Sequence, residues 1–178
     1  MSTERRLTLA RLAALIAVIA LSVFIFNIRD RVHEYAIFGY PGIFLIVFLG
    51  YATVILPAPA VLFVFTLGGV FHPAWVALTA AAGAALGEIT GYMAGFSSQA
   101  VLDRANFYEK LAHWMTRKGP LTIFLLSAIP NPLFDLAGAA AGALKMPIPK
   151  FLFWCFWGEL VKMLAFAYFG SSFAKILE

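Results

Sequence analysis

The sequence predicts an all-α integral membrane protein built as an inverted repeat. Each copy is a re-entrant helical hairpin plus a transmembrane helix, and a further transmembrane helix precedes the pair. Three observations predict this. Hydrophobic residues make up 62% of the 178 and charged residues 12%, with a mean hydropathy of +0.89, whereas soluble domains carry ~25% charged residues. Two prolines flank one small or polar residue at Pro57-Ala58-Pro59 and again at Pro130-Asn131-Pro132, each time inside an apolar stretch. Landmarks also recur in order: Pro57 to Pro130, Pro59 to Pro132 and Gly69 to Gly142 are each 73 residues apart, and Gly87-Glu88 to Gly158-Glu159 are 71 apart.

The prolines carry the argument for broken helices. Proline lacks the backbone donor and clashes with the preceding turn, so a helix holding two of them opens and leaves carbonyls unpaired. In hydrocarbon such groups are tolerated only where protein or a water-filled cavity receives them. A duplicated, interrupted apolar element is a sequence pointer to a transporter-like site.

Along the chain, Leu7 to Ile28 is bounded by arginines and approaches the ~20 residues that span a bilayer. No small-residue cleavage pattern follows it, which favours a retained helix over a secretory signal. Arg29 to Tyr40 is a polar connector or a short interfacial helix. Residues 1–38 thus form an anchor, and 39–178 the membrane core. In the first repeat (39–96), Gly42 to Leu56 and Ala60 to Phe71 are the two limbs of a hairpin, and His72-Pro73 opens a helix running to about Phe96, with proline at a starting position. Gly83, Gly87, Gly91 and Gly95 recur at intervals of four along it, a small-residue stripe that lets another helix approach within the chain or in a homo-oligomer. Residues 97–119 read as an amphipathic surface helix. In the second repeat (120–170), Leu121 to Leu144 is the second hairpin, and Pro147 and Pro149 open a helix running to about Gly170.

Charge placement orients the repeats. With the amino terminus in the cytoplasm and both hairpins re-entrant, nine basic residues fall inside and three outside (Arg29, Arg31, Lys175), while Lys162 lies within a span. This is the bias expected of a cytoplasmic face. The reading places the chain in a prokaryotic plasma (inner) membrane. Basic residues at the ends of apolar segments orient helices, so the net charge of +4 gives no reason to expect nucleic acid as a partner.

Three carboxylates lie inside apolar segments: Glu88, Asp135 and Glu159. An ionisable group at such depth costs a few kcal/mol, so it faces a cavity, pairs, or holds a proton. Glu88 and Glu159 occupy equivalent repeat positions, near a pseudo-twofold axis, where two carboxylates could exchange protons. Lys162, three residues after Glu159, is an alternative partner on the same helical face. Asp135 caps freed backbone donors or, with Asn131, offers polar contacts to a headgroup. Cys155 is the lone cysteine and reads as a packing residue. No metal-ligand spacing, nucleophile elbow or phosphate loop is present, so neither an enzyme nor a cofactor is expected.

At the hairpins and glycines the chain resembles the VTT domain family, which includes bacterial DedA proteins and the eukaryotic vacuole membrane protein, also labelled SNARE-associated Golgi proteins. The resemblance covers about Gly39 to Gly170. It rests on Pro57-Ala58-Pro59 with Gly68-Gly69, on Gly87-Glu88-Ile89-Thr90-Gly91-Tyr92, and on Pro130-Asn131-Pro132-Leu133-Phe134-Asp135 through Gly138, Gly142, Met146-Pro147, Phe151 and Gly158. That last run is more similar to the vacuole membrane protein branch. DedA proteins usually place an acid after the first proline motif, where this chain has Ala60-Val61, and arginines around the second, where it has Ser127 and Leu133. The resemblance implies movement of phospholipid or undecaprenyl phosphate between leaflets, with membrane lipids as partners. A headgroup would pass Glu88, Asn131 and Asp135. A proton-coupled transporter of a small solute or ion, with protons as the coupled partner, rests on the same carboxylates.

Overall fold

The computed structural model describes residues 36–52, 57–97, 106–130 and 134–176. The expected first helix, Leu7 to Ile28, lies outside them, as do Asn131 and Pro132. Seven helices are present among the described residues, and no strand: α1 (Ala36–Ala52), α2 (Pro57–Gly68), α3 (Pro73–Gly87), α4 (Ile89–Ser97), α5 (Asn106–Ala128), α6 (Phe134–Ala143) and α7 (Ile148–Ile176). Two stretches among the described residues are long and apolar enough to cross a membrane: Pro73–Ser97, which joins α3 to α4, and Ile148–Ile176. The limbs beside the proline motifs are shorter. At 17, 12 and 10 residues, α1, α2 and α6 reach about 26, 18 and 15 Å at 1.5 Å per residue, less than the ~30 Å of hydrocarbon.

Several boundaries differ from the sequence reading. The first limb starts at Ala36 rather than Gly42, which absorbs the end of the expected connector into α1. Pro57 and Pro59 both fall in the first turn of α2, where a missing N–H costs nothing because no intrahelical acceptor exists for it. At the second motif, Pro130 is non-helical, and the described part of α6 spans Phe134–Ala143. The surface helix and the first limb of the second hairpin form one element, α5, kinked at Lys118 (φ −139°, ψ 40°) just before Pro120. The last helix continues to Ile176 rather than ending near Gly170.

Two ends have clear local causes. Pro73 takes the first helical position of α3 behind His72, whose backbone is extended (φ −63°, ψ 116°). At the end of α6, Lys145 adopts a left-handed conformation (φ 54°). Its N–H donates to Gly142 O at 2.9 Å, and Met146 N–H donates to Ala141 O at 2.9 Å. These two bonds form a Schellman motif, with lysine where glycine is usual.

The helices pack reciprocally. Helix α1 lies along α3, and α5 along α7. The short helices cross over: α2 packs chiefly on α7, and α6 chiefly on α4, while α3 and α7 pack on each other between them. Two core clusters result. One joins α1, α2 and α3 to the carboxyl-terminal half of α7 around Val47, Val64, Ala80 and Ala167. The other joins α4, α5 and α6 to the amino-terminal half of α7 around Tyr92, Ile123, Ala140 and Phe151.

Small residues hold these contacts. A Cβ on Gly83 would lie 2.5 Å from Phe44 O and one on Gly87 2.7 Å from Phe48 O, both on α1. A Cβ on Gly95 would collide with Ala139, on Gly142 with Tyr92, on Gly158 with Ser127 and on Gly170 with Phe65. The glycine stripe is therefore used within the chain at positions 83, 87 and 95. One expectation changes: Gly91 is not a close contact, its nearest neighbours being 3.9 Å from a built Cβ. In the Gly68-Gly69 pair, Gly68 approaches Ala167 most tightly, and a Cβ on Gly69 would lie 3.0 Å from Ala174 Cβ and 3.2 Å from Gly170 O. Large apolar side chains point outward instead, Leu49, Trp75, Phe153, Phe169 and Phe173 among them. A small-residue interior beneath a bulky apolar exterior suits a lipid solvent, which provides no hydrophobic drive between helices.

Candidate functional site

Glu88 and Asp135 come from a helix interruption and a helix end, Glu159 and Lys162 from within α7. Glu88 occupies a single irregular residue between α3 and α4. Its N–H donates to Ala84 O at 3.0 Å and its carbonyl accepts from Tyr92 N–H at 3.1 Å, so the ladder carries across the irregularity. Its side chain is 3% exposed, and a Cβ on Gly91 or Gly138 would come within 3.9 and 3.8 Å of Oε2. Glycine at these two positions leaves the space beside the carboxylate free. Asp135 is the second residue of α6, in its first turn and half-buried. It is thus inside the helix rather than at the cap, where a carboxylate still complements the free N–H groups and the positive end of the helix dipole.

Glu159 sits in the middle of α7 with 0% exposure, and Lys162 Nζ donates to its Oε1 at 2.7 Å. The lysine head also stands 5.3 Å from the centre of the Tyr51 ring, in cation–π range. Glu88 is within electrostatic reach of Glu159, Asp135 and Lys162, and Tyr51 within reach of all three carboxylates. The structure therefore brings Glu88, Asp135 and Glu159 into one neighbourhood. Asn131, the fourth expected polar residue, lies outside the described residues.

Sequence reasoning missed Tyr51. It lies in the last turn of α1, six residues before Pro57, and only its hydroxyl distinguishes it from the aromatics around it. Thr90 was also passed over as a contributor. Its Oγ1 donates to Ala52 O at 3.0 Å, the carbonyl that closes α1, and lies 3.0 Å from Gly87 O. The carbonyl of the last described residue of α1 thus receives a donor from α4.

The charge count decides what this arrangement can do. Three carboxylates face one lysine, so the cluster carries at least two surplus negative charges or the protons that cancel them. Because Lys162 is committed to Glu159, Glu88 and Asp135 are the groups left to meet a cation, a proton or a polar headgroup. Of the two, Asp135 is the more open to its surroundings.

An apolar bundle, all-helical among the described residues, with buried carboxylates in its interior marks a membrane protein. Residues 56–172 match the VTT domain. The chain belongs to the VTT domain family, whose members are membrane proteins associated with transport. The match begins after α1, although α1 lies along α3 and supplies Tyr51 to the cluster. No curated protein and no solved structure is similar enough to this chain to match it.

Proposed function

We propose that the protein moves phospholipid or undecaprenyl phosphate headgroups between membrane leaflets, past Asp135 and Glu88 and along a groove lined by two re-entrant hairpins. The observation that carries this reading is the meeting of Glu88, Asp135 and Glu159 where α1 ends, α3 gives way to α4 and α6 begins. A headgroup crossing hydrocarbon needs polar partners at depth, and the helix breaks leave such partners there. The reciprocal packing of α2 on α7 and α6 on α4 supports the inverted-repeat architecture. Limbs of 12 and 10 residues support hairpins that enter and leave by one face. In this reading the chain resides in a bacterial inner membrane with its amino terminus in the cytoplasm.

The test is dithionite quenching of fluorescent phospholipids in vesicles containing the purified protein. Quenching well beyond half in the wild type, returning to about half in Asp135→Asn, supports a lipid pathway at the start of α6. Quenching fixed near half in both removes phospholipid scrambling.

The surplus of carboxylates over lysine favours one second reading, a proton-coupled transporter of a small solute or ion. That protein would take up solute only while a pH gradient is maintained and would leave lipid distribution unchanged.

A further inference from the structure

A groove of about 310 Å³ lies along α5 at its kink, lined among the described residues by His113, Trp114, Arg117, Lys118, Leu121, Thr122 and Leu125. Its ends differ in chemistry. His113, Arg117 and Lys118 gather at one end, all exposed, while Leu121 and Leu125 continue along the helix as exposed apolar side chains. Trp114 is 65% exposed beside the cations, the placement of an aromatic at a membrane–water boundary. Among the described residues, no carboxylate pairs with Arg117 or Lys118.

The groove is fixed rather than incidental. Lys118 leaves helical geometry, and Thr122 Oγ1 donates back to Lys118 O at 3.1 Å across the kink. A Cβ on Gly119 would meet Met146 Cε at 2.6 Å, so the kink is seated against the turn that follows α6. It is also separate from the carboxylates. Ser127, which packs against Gly158 beside Glu159, lies nine residues beyond Lys118, roughly 14 Å along a helix.

We propose that this groove is a binding site for an anionic phospholipid, with the phosphate held by Arg117, Lys118 and His113 and an acyl chain laid along Leu121 and Leu125. Charge complementarity selects the ligand. Exposed cations at the end of an apolar stripe match a lipid whose negative phosphate is joined to a hydrocarbon tail, and Arg provides a planar fork for phosphate oxygens. A soluble anion would leave the apolar end empty, and a zwitterionic lipid would leave the cations uncompensated. The site stands independently of any transport activity.

The experiment is native mass spectrometry of the full-length protein in detergent, offered phosphatidylglycerol and phosphatidylcholine of identical acyl chains in equal amounts. Wild type retains phosphatidylglycerol preferentially. Arg117→Gln with Lys118→Gln reduces that preference roughly 30-fold and Arg117→Gln alone about 5-fold, whereas Lys150→Gln with Lys175→Gln, exposed cations elsewhere, leaves it intact. If the double variant does not fold, the single one decides. Absence of preference in the wild type, or equal losses in the groove and control variants, overturns the proposal. So does displacement of bound phosphatidylglycerol by millimolar inorganic phosphate, which would make this a free-phosphate site.

Discussion

Lys162 Nζ lies 2.7 Å from Glu159 Oε1 with both side chains buried, and the second carboxylate oxygen of Glu159 has no hydrogen-bond partner among the described residues. The pair is satisfied on one side only. Removing the lysine strands a buried carboxylate, which typically costs about 3–5 kcal/mol, whereas replacing both partners with apolar residues of similar size is often near neutral.

Lys162→Met is therefore expected to lower thermal stability in detergent strongly. Glu159→Leu with Lys162→Met, which leaves two apolar side chains, recovers most of the loss. A double-mutant cycle read by thermal unfolding checks this, and strictly additive losses in the two single variants and the double would show that the pair contributes little.

Gly158→Ala places a methyl group against Ser127 Oγ and 2.5 Å from Phe124 O. We expect a loss of at least ~1–3 kcal/mol, the usual cost of overpacking. Adding Ser127→Ala relieves only part of it, because the backbone contact with Phe124 remains. Gly91→Ala, whose new Cβ would find nothing nearer than 3.9 Å, is expected to be tolerated. Melting temperatures of the three variants check the ranking.

Thr90→Val keeps the shape of the side chain and removes the donor to Ala52 O. The expected cost is about 1 kcal/mol, with Thr90→Ser restoring most of it. Hydrogen exchange at the end of α1 should accelerate in the valine variant alone.

Lys145→Gly removes a side chain from a left-handed backbone position while preserving both Schellman hydrogen bonds. A gain of up to about 1 kcal/mol is expected. A lower melting temperature would mean that the lysine side chain makes a compensating contact.

Much of the fold was legible because proline and glycine act locally. Pro73 marked the start of α3, Pro130 the second interruption, and glycines 83, 87, 95 and 142 the close approaches. The start of α1 at Ala36, the fusion of the surface helix with the second hairpin, and the crossover of α2 and α6 were not legible. They depend on which helix finds which neighbour, and apolar runs that read alike carry no such information. The same holds at the site. Carboxylates at depth announce themselves by cost, so Glu88, Asp135 and Glu159 stood out, whereas Tyr51 belongs to the cluster only through the packing of α1 on α3.

The crossover of the short helices has a consequence for how the protein is made. Helix α2 leaves the ribosome long before α7, the helix on which it chiefly packs, and α4 likewise precedes α6. Neither half can reach its final arrangement while the other is still being synthesised, so insertion of the last helix is the event that closes the molecule. A chain truncated before α7 would leave α2 without its partner in the bilayer, a substrate for membrane quality control rather than half of a working protein.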